Sequence, residues 1–297
     1  MLVAIPLALM AALSFAAAAI LQQRSARAAP EGESMSPRLI LDLVRRPVWI
    51  AGFAVGMGSY GLQAAALAYG SVGVVQPIIV TELVFALPFA IRSKGARLGL
   101  RELGGAASTA AGVALFLLSA SPTGGRPMPS TDVWLVVLGA GGAAIAAVIA
   151  VARGPESPRR AALLAAGAGI SFALMSVLTK TTMYLLGRGI LNMLLHWQPY
   201  ALAVVAPLGF LLAQSAFQAG PLAISLPIID SLEPSVAVLI GTLAFGEHFA
   251  LAPLRAAGES VGAVAALAGV FLLGRSPAVL AIYERTEKSK REAGTAG

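Results

Sequence analysis

Three carboxylic acids, Glu82, Asp230 and Glu233, sit deep within apolar stretches of this 297-residue chain. An ionisable side chain surrounded by apolar sequence is costly to bury, and a residue kept there against that cost usually has a use. Asp230 and Glu233 are three apart, a spacing that puts both on one face of a helix. Two kinds of chemistry suit such a set. Carboxylates and carbonyls are ligands for a hard cation such as Mg2+, which keeps some of its waters. Alternatively, carboxyls brought close together in low dielectric hold protons that they can exchange for a substrate. The plainer alternative is structural, with each acid protonated and bonded to neighbouring Ser, Thr or Gln. The expectation is that all three converge on one cavity.

Prolines interrupt the same stretches. Pro77 precedes Glu82, while Pro227 and Pro234 flank Asp230 and Glu233. Proline removes a donor and clashes with the carbonyl one turn earlier. The freed carbonyls are expected to line a substrate path, as in broken transport helices; a tolerated kink is the other reading. Gln63 and Gln214 lie at similar depth and offer amides to a ligand or to an interhelical bond. Lys180 reads as a side chain snorkelling from a helix end, or as a counter-ion to the acids. His196 and His248 have no second nitrogen ligand nearby in sequence. The absence of cysteine excludes disulfides and thiolate metal sites. The Gly-rich runs lack the strand–turn–helix setting and the Lys of a phosphate loop. No nucleophile–base pairing stands out, so an enzyme is not expected.

The elements that must position these residues are membrane helices. The chain is 58% hydrophobic and only 12% charged, against about a quarter charged in soluble domains. Nine apolar segments are predicted, roughly 2–22, 48–69, 72–92, 102–120, 132–152, 161–186, 198–219, 221–246 and 256–274. About 20 residues of helix span the hydrocarbon, and only a helix satisfies its own backbone there. Trp49, Trp134 and Trp197 each stand at a predicted helix start, where an interfacial indole belongs. The charged stretch 37–48, with Arg38, Asp42, Arg45 and Arg46, reads as an amphipathic surface helix.

Charge gives the orientation. Of the 21 Lys and Arg, seventeen fall in the first, third and fifth gaps and the C-terminal tail. Arg126, Lys180, Arg188 and Arg255 fall on the other side. Positive charge is retained in the cytoplasm, which places the tail inside and Met1 outside, in a multi-pass plasma-membrane protein. Met1 to Pro6 has no basic n-region, so the first segment reads as a span rather than a signal peptide. The net charge of +7 is dispersed among the gaps and forms no stripe for nucleic acid.

The chain also repeats itself. Leu62, Ala66, Gly70, Pro77, Ile78 and Ile79 align at an offset of 150 with Leu212, Ala216, Gly220, Pro227, Ile228 and Ile229. At an offset of 157, Ser14-Phe15-Ala16 meets Ser171-Phe172-Ala173. At that same offset Glu102, Gly105, Ala111, Gly112 and Val113 meet Glu259, Gly262, Ala268, Gly269 and Val270. Spans one to four thus match spans six to nine, with span five as linker. One extra crossing inverts the second half, an architecture that places sites at the repeat interface near the midplane. The predicted fold is an all-α integral membrane protein of about nine transmembrane helices, as two inverted four-helix repeats joined by a linker helix.

These residues resemble a known pattern. Pro47-Val48-Trp49-Ile50-Ala51-Gly52, Ala66, Ala68 and Val75-Gln76-Pro77 in the first half, with Ser225-Leu226-Pro227 and Phe245-Gly246-Glu247 in the second, look like the drug/metabolite transporter superfamily, EamA-like, and within it the NIPA-type magnesium transporter branch. That branch has a Trp-x-x-Gly helix start, an Asn- and Ala-rich second helix, a Val-x-Pro third helix and a late Phe-x-Glu exit. Where it tends to carry an acid and an Asn, this chain has Gly58, Ser59, Tyr60 and Gln63. Ile78-Ile79 replaces its Leu-Gly. The resemblance implies two inverted helical bundles and transport of a small solute or of magnesium.

The expected organisation is a first transmembrane repeat over 1–120, a linker helix and loops over 121–160, a second, inverted repeat over 161–275, and a cytoplasmic basic tail over 276–297. The leading expectation is a secondary transporter working by alternating access, with protons exchanged at Glu82, Asp230 and Glu233. A magnesium or divalent-cation carrier using the same acids is the second. A non-transporting membrane partner or regulatory subunit is the third. No cofactor is expected; Mg2+ or H+ enters as a transported ion. The expected partners are membrane lipid and a small solute or ion, with a homodimer left open and no nucleic acid.

Overall fold

The computed structural model describes residues 3–30, 34–69, 75, 78–86, 99–119, 128–246 and 253–276. All regular structure among them is helical. In chain order the helices are α1 (Ala4–Arg27), α2 (Pro37–Leu43), α3 (Pro47–Tyr69), α4 (Leu100–Ser119), α5 (Thr131–Val151), α6 (Pro158–Gly187), α7 (Ile190–Leu194), α8 (Gln198–Ala219), α9 (Leu222–Phe245) and α10 (Pro253–Gly274). Eight of the nine predicted segments coincide with one of these helices. The remaining one, 72–92, lies partly outside the described residues; within it, 82–86 are helical. Among the described residues, six helices, α1, α5, α6, α8, α9 and α10, are long and apolar enough to cross a membrane. Two others, α3 and α4, are about as long. α3 carries Ser59, Tyr60 and Gln63, and α4 carries Arg101, Glu102, Ser108 and Thr109.

Helix starts follow local chemistry. Ser36 and Ser157 cap α2 and α6, accepting from Arg38 N and Arg160 N, and each is followed by a proline at the first helical position. That position has no N–H to lose and wants the fixed φ of proline. α9 ends on Gly246 in the left-handed region, φ 63° and ψ 31°, a conformation that glycine adopts without strain.

Packing relies on small residues. Lipid tails are as apolar as leucine, so close backbone approach and dispersion hold such helices together. α1 turns Ala4, Ala8, Ala11, Ala12, Ala16, Ala18 and Ala19 inward and packs on α3. α4 crosses α10 backbone to backbone. A Cβ on Gly112 would stand 2.7 Å from the Gly262 carbonyl oxygen, and one on Gly262 would stand 2.7 Å from that of Gly112. α6 packs on α5, α8 and α9. α9 touches α1, α4, α5, α6, α8 and α10 and so runs through the middle of the bundle.

Two expectations change. α2 is shorter than the predicted surface helix and buries Leu39 and Leu43 completely, while Asp42 pairs with Arg46 at 2.7 Å. Trp49 and Trp134 turn inward, at 4% and 2% exposure. Trp134 meets Trp197 and Phe245 edge-on. All three stand at helix starts as predicted, but only Trp197 is 37% exposed, because the other two indoles find aromatic partners inside the protein.

Candidate functional site

Asp230 and Glu233 lie halfway along the central helix α9. Glu82 comes from the helical turn 82–86, whose Leu83 and Ala86 are fully buried. The Glu82 and Asp230 carboxyls stand within hydrogen-bonding reach of each other, and both feel the charge of Glu233. Two carboxylates offer each other only acceptors. Their contact therefore calls for a shared proton or a bound cation. The three acids lie near one another, and each keeps partial exposure.

α6 and α3 complete the surroundings. Gly169 on α6 lets α9 approach closely: a Cβ there would lie 2.9 Å from Leu232 Cβ and 3.5 Å from Glu233 N. Two turns further along the same face of α6, Ser176 Oγ donates to Glu233 Oε1 at 3.4 Å. From α3, Tyr60 stands in electrostatic contact with Glu82, Asp230 and Glu233. Its ring meets Phe15 of α1 edge-on, centroids 4.9 Å apart, and it remains 57% exposed.

Two of the three prolines predicted to break helices lie in one that runs on through both. Pro227 and Pro234 lie inside α9. With no N–H on Pro234, the carbonyl of Asp230 loses its helical donor. Asp230 thus presents a carboxylate and an uncommitted carbonyl at one level. Asp230 Oδ2 and Ser231 Oγ are buried without a protein hydrogen-bond partner.

The chain is 33% identical over 249 residues to "Uncharacterized protein Cgl0250/cg0304" of Corynebacterium glutamicum, a match covering 84% of this chain and 86% of that protein. It belongs to the family of that protein. No protein-family model and no solved structure matches it.

In this family member the remaining predicted residues separate. Gln214 is not part of the acid cluster. It is fully buried, its Oε1 accepts from Trp49 Nε1 at 3.1 Å and its Nε2 donates to Gln22 Oε1 at 2.8 Å. Its amide is engaged in joining helices, the alternative that its sequence position left open. Gln63 is half-buried, one turn beyond Tyr60 on the same face of α3. Pro77 and His248 lie outside the described residues. Lys180 sits within α6 rather than at its end, with Nζ 4.7 Å from the centre of the Phe245 ring. His196 Nδ1 is 2.6 Å from Asn192 O. Among the described residues, no three His, Cys, Asp or Glu side chains are arranged to hold a metal ion. The predicted magnesium position at Glu82, Asp230 and Glu233 is therefore not a ready-made ligand set. Sequence reasoning missed two contributors, Tyr60 and Ser176. The signal for Tyr60 was its spacing of three from Gln63, which puts both on one helical face.

Proposed function

We propose that this protein is a secondary transporter of the drug/metabolite superfamily. It moves a small solute by alternating access and couples that movement to protons at Glu82, Asp230 and Glu233. The contact between the Glu82 and Asp230 carboxyls carries the proposal. Only a proton or a cation reconciles two acids at that distance, and a site that must take one up to change state is a coupling site. Its place on the central helix, beside helix-breaking prolines, suits alternating access.

The inverted repeat is part of the proposal. The α4–α10 crossing supports it, because Gly105 faces Gly269 while Gly112 faces Gly262. Exchanging each residue for its counterpart 157 positions away converts one contact into the other. The basic gaps then lie on the cytoplasmic side, with the C-terminus inside and nine spans in all.

A divalent cation such as magnesium is the second reading. The all-oxygen donors, including the Asp230 carbonyl freed by Pro234, favour it. A magnesium ion there would keep some of its waters. One assay separates the two. Protein in sealed vesicles is given a pH gradient or a magnesium gradient, with a trapped pH dye or a trapped magnesium indicator. Proton movement that vanishes in the E82Q/D230N/E233Q variant supports the first reading, and magnesium entry with the same loss supports the second. Folded protein that moves neither ion sinks both.

A further inference from the structure

At the basic end of the bundle the two halves are stitched together. Gln23 Nε2 and Arg27 Nε donate to the Gly220 carbonyl at 3.0 and 3.2 Å. Met35 N donates to Ser215 Oγ at 3.0 Å, and Gln218 Nε2 to the Pro30 carbonyl at 3.0 Å. The Gln22–Gln214–Trp49 chain completes the set. Each bond runs from the α1–α3 region to the last turns of α8 or to Gly220. Beneath them Trp49 stacks on Phe53 with centroids 5.5 Å apart. Phe210 of α8 closes on both edge-on, at 5.9 and 6.0 Å. Breaking these bonds without water would leave polar groups unpaired, so this end parts only as it hydrates.

Eleven residues along α3 from Trp49, and so about 16 Å away, the picture reverses. Tyr60 is 57% exposed beside the acids, and Ala203 on α8 is exposed. At the repeat offset of 150, Phe210 is the counterpart of Tyr60, and Pro199 and Ala203 are the counterparts of Trp49 and Phe53. Inverted repeats reach the opposite-facing state when the halves exchange conformations.

We propose that Phe210 and Tyr60 are alternating gates. Phe210 closes the basic end here against Trp49 and Phe53, with Gln214 as its latch. After the exchange, Tyr60 closes the other end against Pro199 and Ala203. This rests on the transporter reading above, but its test needs no substrate.

The chain has no cysteine, so single thiols report directly. Y60C is exposed to a membrane-impermeant maleimide from either face of the membrane, with R159C marking the basic face. Y60C labels from the face opposite R159C, and adding Q214A slows that labelling at least fivefold as the latch weakens. A short bifunctional methanethiosulfonate joins Y60C to A203C, and faster with Q214A than without. W49F, which keeps the ring but drops the indole donor, repeats both shifts if Q214A does not fold. Equal labelling of Y60C from both faces, or cross-linking that neither latch variant accelerates, overturns the gates. The expected labelling without any proton flux keeps the gates and sinks the coupling proposal instead.

Discussion

Ser108 on α4 donates its hydroxyl to the main-chain carbonyl of Ala265 on α10 at 2.8 Å, and the two are 157 residues apart, the offset that aligns the two halves. In the proposed inverted repeat, a residue meets its own counterpart only beside the axis that exchanges the halves. The glycines around this point are then the tightest place in the bundle. G112A and G262A should each destabilise the protein by about 1–3 kcal/mol through overpacking. G104A meets nothing within 4 Å and should stabilise it slightly, by up to ~1 kcal/mol from helix propensity. Thermal unfolding in detergent gives the sign of each. A tolerated G112A would mean that the helices do not cross at this distance.

Glu82 and Asp230 act as one unit if they share a proton or a cation. E82Q and D230N should each lower pH-driven proton flux at least tenfold, and the double variant should be no worse than either single one. Residues in contact show this non-additivity, whereas independent sites multiply their losses. Two separate losses that multiply would dissolve the pair.

Tyr60 feels the charge of three acids while its ring rests on Phe15. Y60F keeps the ring contact and deletes the hydroxyl. Flux should fall about 3- to 10-fold, a loss of roughly 1 kcal/mol, at unchanged melting temperature. Full flux in Y60F would confine Tyr60 to packing and gating.

Pro234 leaves the Asp230 carbonyl without a helical donor. P234A returns that donor. Proline is about 3 kcal/mol less favourable than alanine inside a helix, so P234A should be more stable than the parent while turning over more slowly. Gains in both stability and turnover would show that the break has no part in the cycle.

Much of this was readable in the residues. Length and apolarity placed the helices to within a few positions, since backbone satisfaction in lipid leaves one local solution. The depth of Glu82, Asp230 and Glu233 was also readable, because rise per residue converts position into height. Azimuth was not. Gln63 and Gln214 sit at similar depth, yet Gln214 faces Trp49 and Gln22. In an apolar helix almost any face is acceptable to lipid, and hydrophobic periodicity no longer reports which side turns inward. Tyr60 was passed over for the same reason, and Trp49 and Trp134 were assigned to the boundary when partners across the bundle had drawn them in.

The buried stripe of α1 is made of alanine. Alanine has no χ rotamers to re-sort, so little side-chain interlocking resists a small sliding step of α1 along its neighbours. Friction on such a surface is low, and the barrier to rigid-body movement shifts from packing to the polar bonds at the basic end. In the proposed transport cycle, switching kinetics should then answer to hydration and to denaturants of hydrogen bonds far more than to the size of core side chains, with the speed set at the rim.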